Sequence, residues 1–226
     1  MRQQSTADQE AIVGLPFLYR AGRDRSAPLA VLLHGRAGTR EVIWMFERHV
    51  PPEAAVLSLQ APLAEPAPLG GFSWWRIDAD EEERAAAMRH AVERMTAAME
   101  RFIELEALEP ASRVILGFSQ GAALISAALL SQRLRVDGAA LLAGFVVEPP
   151  GPPAIHGAPK VFVAHGTRDE VISIERARRG ARLLESLGLP VTRVEDEVGH
   201  KVGIQGTRAL KSWLHEILGE TASSSD

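Results

Sequence analysis

The chain has 226 residues, 46% of them hydrophobic, enough for one substantial α/β core, and no linker divides it. Twenty-five Lys and Arg stand against 29 Asp and Glu for a net charge of −4, and no basic stripe interleaved with aromatics occurs, which argues against nucleic acid as a partner. There is no cysteine, so disulfides, thiolate metal sites and a cysteine nucleophile are excluded.

The first residues are polar and lack an apolar signal core, and no stretch approaches the ~18 apolar residues of a membrane span. A cytoplasmic chain without stable membrane insertion is expected. Residues 12–20 read as a strand, with 15–20 an antiparallel edge strand or hairpin. The run Leu29-Ala30-Val31-Leu32-Leu33 suits a strand covered on both faces, placed at 29–34. A helix at 40–49 and a strand at 54–59 follow, then a Pro/Gly-rich loop at 61–71. The helix at 82–108 carries Met88, Val92, Met95, Met99, Phe102 and Ile103 on one stripe. Next come a strand at 113–118, a helix at 120–133 and a strand at 138–143. After the Pro/Gly-rich loop 148–159, a strand at 160–165, a helix at 174–187 and a strand at 191–198 complete the alternation. The last helix, 203–218, aligns Leu210, Trp213, Leu214, Ile217 and Leu218. Residues 219–226 are expected to be a disordered tail. Strands alternating with helices imply a mainly parallel sheet with right-handed crossovers, whose ligands bind beyond the carboxyl ends of the strands.

One segment stands out on that edge. Residues 113–125 read as an apolar strand, the turn Gly117-Phe118-Ser119-Gln120-Gly121, and an Ala/Leu-rich helix. Such a context is what a nucleophile elbow requires, with the glycines leaving room for strand to meet helix and Ser119 at the tip. The bland alternative is a glycine-flanked turn carrying a solvated serine.

A serine hydroxyl needs a base, and the base needs an orienting acid. Of seven histidines, His34 and His165 end strands in His-Gly pairs and suit structural hydrogen bonds. His90 and His215 lie in predicted helices, His49 ends one, and His156 precedes a strand. His200 lies just past the final strand on the active edge and is the candidate base. Asp169 follows the strand at 160–165 and is the candidate acid; Asp196, in the last strand, is the runner-up. Asp137 falls at the opposite edge, while Asp78 and Asp80 follow a tryptophan loop. An oxyanion needs two donors. The backbone N–H of Gln120 is one, and the loop after strand 29–34 offers that of Arg36 as the other.

These pieces resemble the phospholipase/carboxylesterase family of α/β-hydrolases, enzymes related to acyl-protein thioesterases. The matching stretches are Leu33-His34-Gly35, Gly117-Phe118-Ser119-Gln120-Gly121-Ala122, His165-Gly166-Thr167-Arg168-Asp169 and Gly199-His200, and the likeness spans roughly residues 12–218. Ser73-Trp74-Trp75-Arg76-Ile77-Asp78 resembles the family's Ser-Trp-aromatic segment beside the acyl pocket. The sequence departs at Arg36-Ala37-Gly38, where many relatives place a glycine two residues after the His-Gly. The resemblance implies a single-domain α/β-hydrolase fold, with Ser119, Asp169 and His200 as catalytic triad and Trp74 and Trp75 as substrate-binding residues. It also implies hydrolysis of a small-molecule ester or thioester. With no cysteine and no histidine pair at metal-ligand helix spacing with a Glu between, no metal or organic cofactor is expected. Relatives of this type often dimerise, so a homodimer is one expectation. Only a short connection joins the strands at 138–143 and 160–165, so no lid is expected, and an open site of this kind favours short acyl chains. Acyl-protein thioesterase or lysophospholipase activity, dienelactone-hydrolase chemistry, and a non-catalytic binding protein on the same fold are the competing readings.

Overall fold

A computed structural model describes residues 6–77, 80–148 and 151–219. Asp78 and the tail 220–226 lie outside the described residues. Seven strands form the central sheet: β1 (Phe17–Arg20), β2 (Leu29–Leu33), β3 (Ala55–Leu59), β6 (Arg113–Phe118), β7 (Gly138–Leu142), β8 (Lys160–Gly166) and β9 (Val191–Asp196). Their order is β1-β3-β2-β6-β7-β8-β9; β1 pairs antiparallel with β3 and every other pairing is parallel. A second, two-stranded sheet joins β4 (Leu63–Ala64) to β5 (Phe72–Ser73).

Alternation along each strand feeds two separate cores. Leu29, Val31 and Leu33 of β2 point to one face, where α1 (Thr6–Val13), α3 (Glu81–Leu105), α4 (Gln120–Leu130) and α5 (Ile174–Ser186) pack. Ala30 and Leu32 point to the other, covered by α2 (Arg40–Ile43), the 3₁₀ helix Trp44–His49 and α6 (Ile204–Gly219). The methionine stripe of α3 lies in the first core. Its Phe102 is fully buried and meets the rings of Phe17 and Tyr19 edge-on at 5.1 and 4.8 Å. Burying one such ring is worth roughly 1.5–3 kcal/mol, so this contact ties the antiparallel edge strand to the body. The α6 stripe supplies Leu210, Trp213, Leu214, Ile217 and Leu218 to the second core.

The helices expected to 108 and 133 and the strand expected to 198 stop at Leu105, Leu130 and Asp196, and three expected elements take another form. Residues 12–13 belong to α1, not to the first strand: Gly14, with φ +82°, donates its N–H to Glu10 O and closes the helix before β1 begins. The helix expected over 40–49 divides into a turn of α-helix and a 3₁₀ segment. The loop expected at 61–71 contains β4 and leads into β5. Among the described residues, the connection from β7 to β8 contains no helix, and no helix is long and apolar enough to cross a membrane.

Candidate active site

The carboxyl ends of β2, β6, β8 and β9 bring the expected residues together. At the end of β6 the chain turns into α4 through Ser119, whose φ of +51° and ψ of −109° lie where few non-glycine residues sit. The flanking glycines make that turn physically possible. A Cβ on Gly117 would come within 2.5 Å of the Gly121 backbone, and one on Gly121 within 2.4 Å of Leu33 O. Ser119 N–H donates to Leu142 O at 2.8 Å, which anchors the turn to β7.

Ser119 Oγ lies 3.0 Å from His200 Nε2, and His200 Nδ1 lies 2.7 Å from Asp169 Oδ2. With Nδ1–H donated to the carboxylate, Nε2 is left as acceptor for the serine proton. The ring of Phe118 stands 5.1 Å from the His200 ring and supports it from the side. Asp169 is fixed just as firmly: its Oδ1 accepts the N–H groups of Val171 and Ile172, each at 2.9 Å. Burial opposes the Asp169 charge, but the Ile172 N–H, His200 and the Val171 N–H outweigh it and hold the carboxyl below the usual aspartate range.

The other acids and histidines have separate tasks. Asp196 accepts the N–H groups of Gln205 at 3.1 Å and Gly206 at 2.8 Å, and so caps the start of α6. Asp137 accepts Arg113 N–H at the opposite edge, and Asp80 caps α3 through Glu83 N–H. His34 is buried, with its Nδ1 2.7 Å from Gly35 O and its Nε2 accepting Ala61 N–H at 3.0 Å. His165 donates from Nε2 to Ile172 O at 2.8 Å and lies 3.3 Å from Asp169 Oδ2, backing the carboxylate from inside.

The loop after β2 lies against the elbow, since a Cβ on Gly35 would come within 3.2 Å of Ser119 Cβ. Within it, Ala37 N–H goes to Ser73 Oγ and Gly38 N–H to Gly35 O. Gln120 opens α4, and the first N–H groups of a helix have no acceptor within it. Its side chain has a use the sequence did not disclose: Oε1 accepts Trp74 N–H and Nε2 donates to Trp75 O, both at 2.8 Å. Trp74 Nε1 donates to His34 O at 2.9 Å. Both tryptophans are buried, at 2% and 5% exposure. The structure places the two tryptophans expected at the pocket as a buried strap bonded to the Gln120 side chain.

An α/β-hydrolase fold, with a serine, a histidine and an aspartate in hydrogen-bonded series beyond its parallel strands, defines the class. The chain belongs to the phospholipase/carboxylesterase family, whose model matches residues 19–218, and is by that membership a hydrolase of carboxylesterase type. Among solved structures it is similar to the carboxylesterase of Bacillus cereus, at 21% identity and a TM-score of 0.83 over 95% of this chain and 100% of that one. A carboxylesterase from Mesorhizobium loti shares 22% identity at a TM-score of 0.75, over 88% and 94% of the two chains. SOBER1 of Arabidopsis thaliana shares 20% identity at 0.71, over 85% and 99%. Among curated proteins, none matches the chain.

Proposed function

We propose that the protein is a serine carboxylesterase that hydrolyses short-chain carboxylic esters through an acyl-enzyme on Ser119. The observation that carries this reading is the His200 ring, which meets Ser119 Oγ with one nitrogen and Asp169 with the other. Ser119 Oγ attacks the acyl carbon as its proton passes to His200 Nε2. The carbonyl electron pair moves onto oxygen, where the N–H groups of Arg36 and Gln120 receive the negative charge. Asp169 stabilises the imidazolium, which then gives its proton to the departing alkoxide as the C–O bond breaks. A water repeats the sequence on the acyl-enzyme and releases the acid.

The lidless connection between β7 and β8 supports the preference for short acyl groups, since an open site grips only the first few methylenes. A second reading, a thioesterase or lysophospholipase for longer acyl groups, draws on Leu69, Ile77, Val171 and Ile204. These exposed apolar side chains lie on segments that follow strand ends at the same edge.

A fluorophosphonate probe should label Ser119 in the wild type and leave Ser119→Ala unmodified by mass spectrometry. A p-nitrophenyl ester series with one acyl-thioester alongside separates the two readings: kcat/KM should peak between acetyl and hexanoyl. A steady rise toward palmitoyl, below micelle-forming concentrations, supports the second.

A further inference from the structure

Glu65 is a carboxylate beside the oxyanion loop that the reaction does not use, and its side chain is only 4% exposed. It follows β4, on the hairpin that leads to the tryptophan strap. Its Oε1 accepts Ser73 Oγ–H at 2.5 Å, a short charge-assisted bond. A serine hydroxyl has one proton. With that proton committed to Glu65, Ser73, itself fully buried, can offer its backbone neighbours only lone pairs. One of them accepts Ala37 N–H at 3.3 Å.

Ala37 is where the loop beside the elbow needs holding, because its φ of +57° is disfavoured for any residue with a Cβ. Two further ties bind the same loop to the same hairpin. Phe72 N–H donates to Gly38 O at 2.9 Å, and a Cβ on Gly71 would lie 2.2 Å from Ala37 O, so the two backbones touch. The guanidinium groups of Arg36 and Arg76 approach the Glu65 carboxylate at 3.4 and 3.5 Å and cover it from solvent. Arg76 also donates to Ala64 O at 2.9 Å, which keeps it on the hairpin.

We propose that Glu65, acting through Ser73, is a positioning residue for the oxyanion loop: it makes Ser73 an acceptor, Ser73 fixes the Ala37 N–H, and the fixed turn keeps the Arg36 N–H aimed at the oxyanion. The proposal rests on the serine-esterase reading above. A group that acts only on the transition state should change kcat and leave KM nearly unmoved. Loss of an oxyanion-hole donor costs about 10²–10³ in kcat, and loss of a supporting contact about 10–100-fold.

The experiment compares Glu65→Gln, Ser73→Ala and the double variant with wild type on p-nitrophenyl butyrate, with a trifluoromethyl ketone as a probe of tetrahedral-adduct affinity. Expected are kcat values about 10–100-fold lower, KM within about twofold, and ketone affinity falling in step with kcat. The double variant should be no worse than the poorer single one, because one relay is cut either way. Folded variants with wild-type kcat, a loss confined to KM, or fully additive losses would each overturn it. If Glu65→Gln does not fold, Ser73→Ala decides the matter, since it removes one hydroxyl and no charge. Ser119→Ala run alongside separates the two ideas: activity retained there defeats the esterase reading, whereas an inactive Ser119→Ala beside unaffected Glu65 and Ser73 variants defeats the relay alone.

Discussion

The elbow at Ser119 and the loop at 35–38 lie against each other, yet they are held by different means. The elbow is maintained by steric exclusion at two glycines of one pentad: Gly117 and Gly121 are the only residue type that lets β6, α4 and β2 approach so closely. The loop is maintained by polar bonds to residues 29 and 36 positions further along the chain, at Glu65 and Ser73. A turn built from local sterics writes itself as a motif. A turn built from distant hydrogen bonds leaves no pattern in its own segment.

The largest effect that tests this contrast belongs to the elbow. Ser119→Ala should lower kcat by about 10⁶ with the far-ultraviolet circular dichroism unchanged, and His200→Ala should match it. A variant keeping a tenth of wild-type turnover would end the assignment of Ser119 as nucleophile. Asp169→Asn comes next, at about 10⁴, because the amide presents the wrong hydrogen-bonding partner to His200 Nδ1. Asp196→Asn provides the counterpart. It should leave kcat within a few-fold of wild type and cost about 1–2 kcal/mol in urea unfolding, through the start of α6. A crippled Asp196→Asn beside a mildly affected Asp169→Asn would exchange their roles.

The smallest effect belongs to the loop and is read through pH. Burial lowers the His34 pKa below its ordinary 6.5, against a weaker opposing pull from Gly35 O and Glu41. The folded state thus binds the His34 proton less readily than the unfolded chain does. Stability from this group is complete above pH 6.5 and is lost as the pH falls below that value. Nε2 also faces two donors in the folded chain, Ala61 N–H and the Gln60 amide. Urea midpoints measured from pH 8 to pH 5 should fall for wild type, and the fall should be shallower in His34→Gln. Parallel curves would show that His34 does not link the loop to proton binding.

The same division explains what could be read from the chain. The strands at 29–33, 113–118, 138–142 and 160–166 are continuous apolar runs with both faces covered, so composition alone reveals them. Ser119, Asp169 and His200 follow from their places at strand ends, and the structure brings those three together. The short antiparallel pair at 63–64 and 72–73 is hidden in a Pro/Gly-rich stretch, because strands of two residues have no periodicity to detect. Ile12 and Val13 suggested a strand, but Gly14 supplies the left-handed stop of a short helix. Trp74 and Trp75 suggested a pocket because aromatics at an active edge often line one. They are buried, and bonded to the Gln120 amide and, for Trp74, the His34 carbonyl, partners that no local pattern links to them. Asp196 looked like a spare acid beside His200, and only its distance from the Gln205 and Gly206 amides reveals a helix cap.

The backbone at Ser119 carries one more consequence. A side chain held at φ +51° and ψ −109° stores conformational strain, on the order of 1–3 kcal/mol, that glycine would not feel. Glycine at this position should therefore give a chain that melts at a higher temperature and hydrolyses nothing. Selection for thermal robustness alone would remove the hydroxyl. Under the proposed mechanism, catalysis and stability pull in opposite directions at this residue, and screens for hardier variants need an activity gate to keep it.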